Sequence, residues 1–252
     1  MTHAKPPFSY RLGEGPLSAV LTPCEALFER YKLLSGHPVF MVPIGISEDR
    51  FFFSSRSYKQ VQGERPTVRI IGRFDPIKGH REFFSIYGRM LRSWKYEAPL
   101  PLLEIVGNPV GVSAKGLRES AEKEGLVFEK DFRVIPWRVR NLADLMSRTH
   151  LGLIPSLGSE VICRVAQEFL LCGTPIVVSG VGALEETLFG TLAGASYRNL
   201  DHKKAEELIG SWIDKAWKEG PEIRRERSEH AAKVFSLSKM GGALDQIFSK
   251  LL

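Results

Sequence analysis

Two glutamates, Glu160 and Glu168, close the stretch EVICRVAQE and hold one arginine, Arg164, between them. A directly cooperating carboxylate pair such as a retaining glycosidase's sits ~5 Å apart. On one continuous helix, eight steps separate the α-carbons by about 12 Å along the axis and turn the chain by roughly 80° beyond two full turns. Shared work on one bond is therefore disfavoured, and the spacing suits two holds at the ends of a long ligand. A second candidate is GRFDPIKG, residues 72–79, which sets Arg73 and Lys78 five positions apart, after a predicted strand and before a predicted helix. Two cations near a helix N-terminus, whose free N–H groups favour anions, suit a pyrophosphate. The alternative is that both are surface charges. No GK[ST] follows, so this is not a Walker loop. SGVGALE, residues 179–185, carries a G-x-G without a third glycine and reads as a turn, not a dinucleotide fingerprint.

Other chemistries lack their residues. There is no Asp-x-Asp, HExxH or Cys/His cluster, so no metal site is expected. The six histidines are scattered, with His80 reading as a helix-start residue, and no G-x-S-x-G elbow occurs. Cys24, Cys163 and Cys172 fit no disulfide or zinc framework, which points to a reducing cytoplasm. No apolar run is long enough to span a bilayer, and the first residues carry no export signal. The net charge of +6 favours anionic partners. Aromatic and arginine residues do not interleave as in RNA-binding strands, so nucleic acid is not expected. The basic run EIRRERSEH alternates with acids and reads as a solvated helix face.

The elements that must position these residues form a regular series. TVRIIG, LLEIVG, FRVIP, LGLIPS and TPIVVS are short apolar runs of strand type, each followed by a segment of helical pattern. In the first of these segments, HREFFSIYGRMLRSWKY, a stripe from Phe83 to Trp94 reads as core. About five strand–helix alternations predict an α/β fold with a doubly wound parallel sheet, whose ligands bind beyond the carboxyl ends of the strands. Before it, LSAVLTP, CEALFERYKLLSG and VFMVP read as strand, helix and strand, too little to bury itself. KMGGALDQIFSKLL reads as an amphipathic helix with Met240, Leu244, Ile247, Phe248 and Leu251 on one face.

Taken in order, VPIGISEDRFF, IIGRFDPIKGHREFF, LEIVGNP, LADLM, LGLIPSLGSEVICRVAQEFLLCGTPIVVSGVGALEETL and FSLSKMGGALDQIFSKLL resemble the retaining glycosyltransferases of family 4, which have the GT-B architecture. The resemblance implies two Rossmann-like domains, with this chain supplying the donor half. Residues 1–60 would be the end of the acceptor-binding domain and a linker. Residues 61–235 would bind the nucleotide sugar, and 236–252 would form a helix crossing back to the first domain. The body of the acceptor-binding domain, in the same gene or a separate chain, is then an expected partner.

The same resemblance implies roles. Glu168 would bind the ribose hydroxyls and Glu160 would sit beside the transferred sugar, while Arg73 and Lys78 would hold the donor diphosphate, with no metal or other cofactor. Arg73, Lys78 and Glu160 are thus the catalytic candidates. Gly72, Gly107, Trp137, Arg138, Ile162, Cys163, Arg164 and Val165 complete the donor-binding set, with the Ile162–Val165 amides facing sugar and phosphates and Trp137 and Arg138 in the base-binding loop. Val161 and Cys163 stand where the family has glycines, and Arg164 reads either as a further phosphate or carboxylate contact or as a solvent-facing charge. The implied reaction is transfer from a nucleoside diphosphate sugar to an acceptor glycan or lipid-linked glycan. Its setting would be bacterial envelope polysaccharide or lipopolysaccharide synthesis, in the cytoplasm or peripherally at the inner membrane face. A non-catalytic nucleotide-sugar-binding subunit, or a degenerate relative, that needs a partner acceptor domain is the alternative.

Overall fold

The computed structural model describes residues 18–59, 65–137, 139–158 and 160–251. The chain begins with β1 (Val20–Thr22), α1 (Glu25–Leu34), β2 (Val39–Met41) and a short α2 (Ser55–Lys59). The alternating series follows as β3 (Thr67–Ile71), α3 (His80–Arg92), β4 (Leu102–Val106), α4 (Ala114–Lys123), β5 (Phe132–Ile135), α5 (Leu142–Ser147), β6 (Leu151–Ile154), α6 (Arg164–Leu171) and β7 (Ile176–Val178). It ends with β8 (Gly194–Ser196), α7 (His202–Lys218), α8 (Pro221–Phe235) and α9 (Leu237–Leu251).

Strands β3 to β8 form one parallel sheet in the order β5-β4-β3-β6-β7-β8, six strands among the described residues. Every residue of β4, β6 and β7 is buried. That is what a parallel strand covered on both faces requires, and it explains the unbroken apolar runs. One face is closed by α3, α4 and α7, with Phe83, Tyr87, Leu117, Ile209 and Trp212 against Val68, Ile70 and Leu103. The other is closed by α5, α6 and α8 around Met146, Phe169, Leu170 and Phe235. Helix starts carry their signals: Ser113, Asn141 and Asp201 accept the N–H groups of Gly116, Asp144 and Lys204.

The structure departs from the sequence reading in three places. A sixth strand, β8, adds to the sheet edge, and the segment before it, Leu184–Thr187, is a 3-10 turn where a helix was predicted. Helix α3 stops at Arg92, because the chain turns so that the Trp94 indole N–H donates to the Ala98 carbonyl at 2.7 Å. Glu160 precedes α6, which starts at Arg164, so the two glutamates do not share a helix and the Ile162–Val165 stretch lies at the helix start, as read from the sequence. Finally, α8 is a solvated face only in part: Glu222, Arg225, Glu226, Glu229 and His230 are exposed, but two of its arginines turn inward. Arg224 and Arg227 are fully buried; Arg227 donates to Glu219 at 2.6 Å and to the Gly173 carbonyl at 2.8 Å, and Arg224 to the carbonyls of Ser147 and Thr149. These guanidiniums satisfy carbonyls at the ends of α5 and α6 that side chains of lower reach would leave bare.

The first unit is small: β1 and β2 pair in parallel, and no residue of α1 is buried. Its link to the sheet lies against the start of α9. Ile46 N–H donates to the Phe235 carbonyl at 2.7 Å, Leu237 N–H to the Ile46 carbonyl at 3.0 Å, and the Glu48 carboxylate accepts the N–H groups of Leu237 and Ser238. Of the predicted apolar face of α9, Ile247 is buried while Phe248 is exposed.

Candidate active site

Strands β3 and β6 are neighbours, yet the chain continues from β3 to β4 on one side and from β6 to β7 on the other. The loops beyond their carboxyl ends therefore separate and leave a crevice at this switch point. Both motifs singled out from the sequence lie on those two loops.

The loop after β3 is held from behind by the loop after β4. Gly72 N–H donates to Val106 at 2.9 Å and Phe74 N–H to Asn108 at 2.8 Å, and a Cβ on Gly107 would lie 1.7 Å from the Gly72 carbonyl oxygen. Gly107 thus serves the site by letting two backbones touch. Asp75 then caps the 3-10 turn Pro76–Lys78, accepting the Ile77 N–H at 3.1 Å. Gly79 follows in the left-handed region, at φ 69°, where a Cβ would meet the Pro155 carbonyl oxygen at 2.0 Å. Leu157 N–H donates to the Ile77 carbonyl at 2.8 Å, so the β3 and β6 loops are in contact on the Lys78 side.

The consequence is an ion pair: the Lys78 ammonium donates to Glu160 Oε1, and the Ser156 hydroxyl donates to the same oxygen at 2.6 Å. Glu160 is 4% exposed. Its backbone is fixed by a third loop, after β7: the Glu160 carbonyl accepts the Ala183 N–H at 2.7 Å, and Gly182, at φ 60°, has no room for a Cβ beside that carbonyl. Gly182 is a turn residue, as predicted, and is also the point where the β7 loop grips Glu160; Gly180 precedes the turn at φ 80°.

Of the predicted residues, Gly72, Lys78, Glu160, Cys163 and Val165 line one cavity of about 60 Å³, together with Ser156 and His80. Cys163 is buried, and its thiol is pushed up to about 12, first by burial and then by Glu160, so it is not a nucleophile at neutral pH. Ile162 precedes α6 and is exposed, and no side chain caps the first turn of that helix. Glu168 lies one turn into α6, buried; burial raises its carboxyl, and the cations Arg164 and Arg50 oppose the rise. Arg164 itself is exposed, so its charge acts on Glu168 from the surface. Arg73 stands apart from the ion pair, 64% exposed at its side chain and 3.8 Å from Asp75. Trp137 is 60% exposed, and Arg138 lies outside the described residues.

Two residues of the cavity were not singled out for chemistry. Ser156 ends the LGLIPS run, and its position in a loop after a strand was the available signal. His80 is buried at the start of α3 with Nε2 lacking a hydrogen-bond partner. Burial, then Lys78, pushes its imidazole down to about 4, which keeps it neutral. Among the described residues no three His, Cys, Asp or Glu side chains gather as a metal site would require. No helix among them is long and apolar enough to cross a membrane.

Comparison with known proteins identifies the family and the fold. The family model described as Glycosyl transferases group 1 matches residues 65–209, more than half of the chain. An uncharacterized 41.2 kDa protein in the cps region of Klebsiella pneumoniae is 27% identical over 190 residues, 75% of this chain and 48% of that protein. A D-inositol 3-phosphate glycosyltransferase from Jonesia denitrificans is 30% identical over 157 residues, 61% of this chain and 33% of that enzyme. The chain thus spans about half the length of one curated relative and a third of the other. Among solved structures, Anabaena Alr3699/HepE in complex with UDP superposes with a TM-score of 0.76 at 18% identity, covering 92% of this chain and 64% of that one. That likeness is one of fold, the GT-B arrangement.

Proposed function

The chain belongs to the Glycosyl transferases group 1, and from that premise we propose that it binds a nucleoside diphosphate sugar in the crevice between β3 and β6. There it takes part in transferring the sugar, with retention as in family 4, to an acceptor glycan or lipid-linked glycan of the bacterial envelope. The observation that carries this reading is the Lys78–Glu160 ion pair, which sets a cation and a carboxylate side by side at the switch point. The departing nucleoside diphosphate gains negative charge in the transition state. Lys78, Arg73 and the amides before α6 are the groups that answer that charge, with no metal in this reading. Arg73 has the exposure and reach to fold inward over a bound diphosphate. Glu160, released by Lys78, is left beside the sugar, and Glu168 holds the ribose; both act by positioning. Residues 18–59 serve as the end of an acceptor-binding domain and α9 as the helix that returns to it. Association with the inner membrane face would follow from a lipid-linked acceptor.

The experiment is a screen of UDP-, GDP- and ADP-sugars for thermal stabilisation. A ligand at 100 times its dissociation constant adds ~2.7 kcal/mol to stability. Stabilisation by one nucleotide class supports the reading, and none by any class contradicts it. The length relation to the curated relatives motivates a second reading, a donor-binding subunit whose acceptor surface lies on another polypeptide. Binding without turnover of the donor by this chain, and turnover once such a partner is added, would favour it.

A further inference from the structure

Two side chains hold the same oxygen of Glu160. Oε1 accepts from the Lys78 ammonium and from the Ser156 hydroxyl, while Oε2 takes no hydrogen bond from the described residues. The two donors are mounted differently. Lys78 stands on the 3-10 turn after β3 with its side chain partly exposed, whereas Ser156 is buried in the wall of the cavity. Ser156 is also tied to the sheet from behind. Its carbonyl accepts the Ser179 hydroxyl at 2.6 Å, and Ser179 N–H donates to the Ile154 carbonyl at 3.0 Å, so the ends of β6 and β7 fix the serine backbone. The Ser156–Glu160 bond, at 2.6 Å, has the length of a hydroxyl donating to a charged carboxylate.

Ligand binding separates the two donors. In the donor-site reading above, on which this inference rests, Lys78 turns to the diphosphate and Glu160 stays beside the sugar. The carboxylate then loses one of its two partners at Oε1. We infer that Ser156 is a positioning residue for the donor sugar: its hydroxyl is the partner that remains, and it holds Oε1 so that Oε2 meets a hydroxyl group of the sugar. A group that must meet its ligand to within about 0.5 Å depends on such support from the side chains behind it. With a nucleoside diphosphate alone, water in the sugar position can serve the carboxylate. With the sugar in place that water is displaced, so the cost of losing Ser156 falls on the sugar-bound state.

The test is calorimetric titration of the whole chain with three pairs of probes: UDP and UDP-glucose, GDP and GDP-mannose, ADP and ADP-glucose. The pair that binds is carried through the variants. Ser156→Ala removes one oxygen atom; it should weaken the nucleotide sugar about tenfold and change the nucleoside diphosphate by less than about twofold. In a Glu160→Ala background the same change should add nothing, because the serine acts through the carboxylate. A serine that only supports the loop would weaken both members of the pair equally, or would cost as much without Glu160 as with it, and either result overturns the inference. Unchanged sugar affinity in Ser156→Ala overturns it as well. Wild type that binds a nucleoside diphosphate but none of the three nucleotide sugars removes the role of Ser156 and leaves the diphosphate site standing. Binding of none of the six probes removes both.

Discussion

Lys78 and Glu160, 82 positions apart in sequence, meet as an ion pair across the point where the strand order of the sheet reverses. Neither position is fixed by its own element. Lys78 is delivered by a 3-10 turn held between Asp75 and Gly79, and Glu160 by an extended loop gripped from the β7 side through Ala183 and Gly182. A pair with one member buried in the loop is costly to break from one side, since the other charge is left without its partner. In the proposed function an incoming diphosphate replaces Glu160 as partner to Lys78, and the pair holds the cation in place until then.

Gly182→Ala tests the grip on Glu160. The residue sits at φ 60°, and the added Cβ would fall 2.1 Å from the Glu160 carbonyl oxygen, so the backbone must move. We expect a loss of about 1–3 kcal/mol of stability in urea unfolding, together with weakened nucleotide binding. Gly190→Ala is the comparison, a glycine at φ 80° with no neighbour within 4 Å of a Cβ; it carries the backbone strain without the clash and should leave binding intact.

Acid should destabilise the fold through buried imidazoles. His150 Nδ1 accepts the Thr67 N–H at 2.9 Å, and burial, then Arg224 and Arg69, pushes its pKa down to about 3 from 6.5. Between those values the unfolded chain binds a proton that the folded chain does not, so stability is present above pH 6.5 and is lost as pH falls toward 3. We expect a loss of roughly 2 kcal/mol from this group between pH 6.5 and about 5. His150→Phe, which keeps a ring beside Trp217, should make the pH dependence of urea unfolding shallower. His80, pushed down to about 4, accounts for part of the slope that remains.

The Arg227–Glu219 pair is buried on both sides. Arg227→Ala leaves Glu219 without its partner and the carbonyls of Gly173 and Leu192 without their donor, and should cost about 3–5 kcal/mol. The double change Arg227→Met with Glu219→Leu should recover much of that loss, measured by urea unfolding, because neither charge is then buried alone.

The strand–helix series was legible because both faces of the sheet are covered, which forces unbroken apolar runs such as LLEIV. Lys78 and Glu160 were legible as candidates because they follow strands, and chain order alone places their loops at one edge. What the sequence hid follows from the same physics. Strand β8 is three residues, Gly194–Ser196, too short for a periodicity. The two arginines of α8 were misread because, apart from Glu219, their partners are backbone carbonyls, which leave no trace in side-chain patterns. Arg73 has the right type and spacing, yet its side chain projects away from the pair, a rotamer that no sequence records.

The central claim, a nucleoside diphosphate held at the switch point, is tested most directly by calorimetric titration of the whole chain with UDP, GDP and ADP. One of the three should bind to wild type. Lys78→Ala and Arg73→Ala should each weaken that binding by about tenfold or more, the scale of one lost charge-assisted contact, and Glu168→Ala should weaken it through the lost ribose contacts. The Arg92→Ala control, whose guanidinium donates to the Glu124 carbonyl at the far end of α3, should leave it unchanged. Binding that is unaltered in all three site variants would contradict the account.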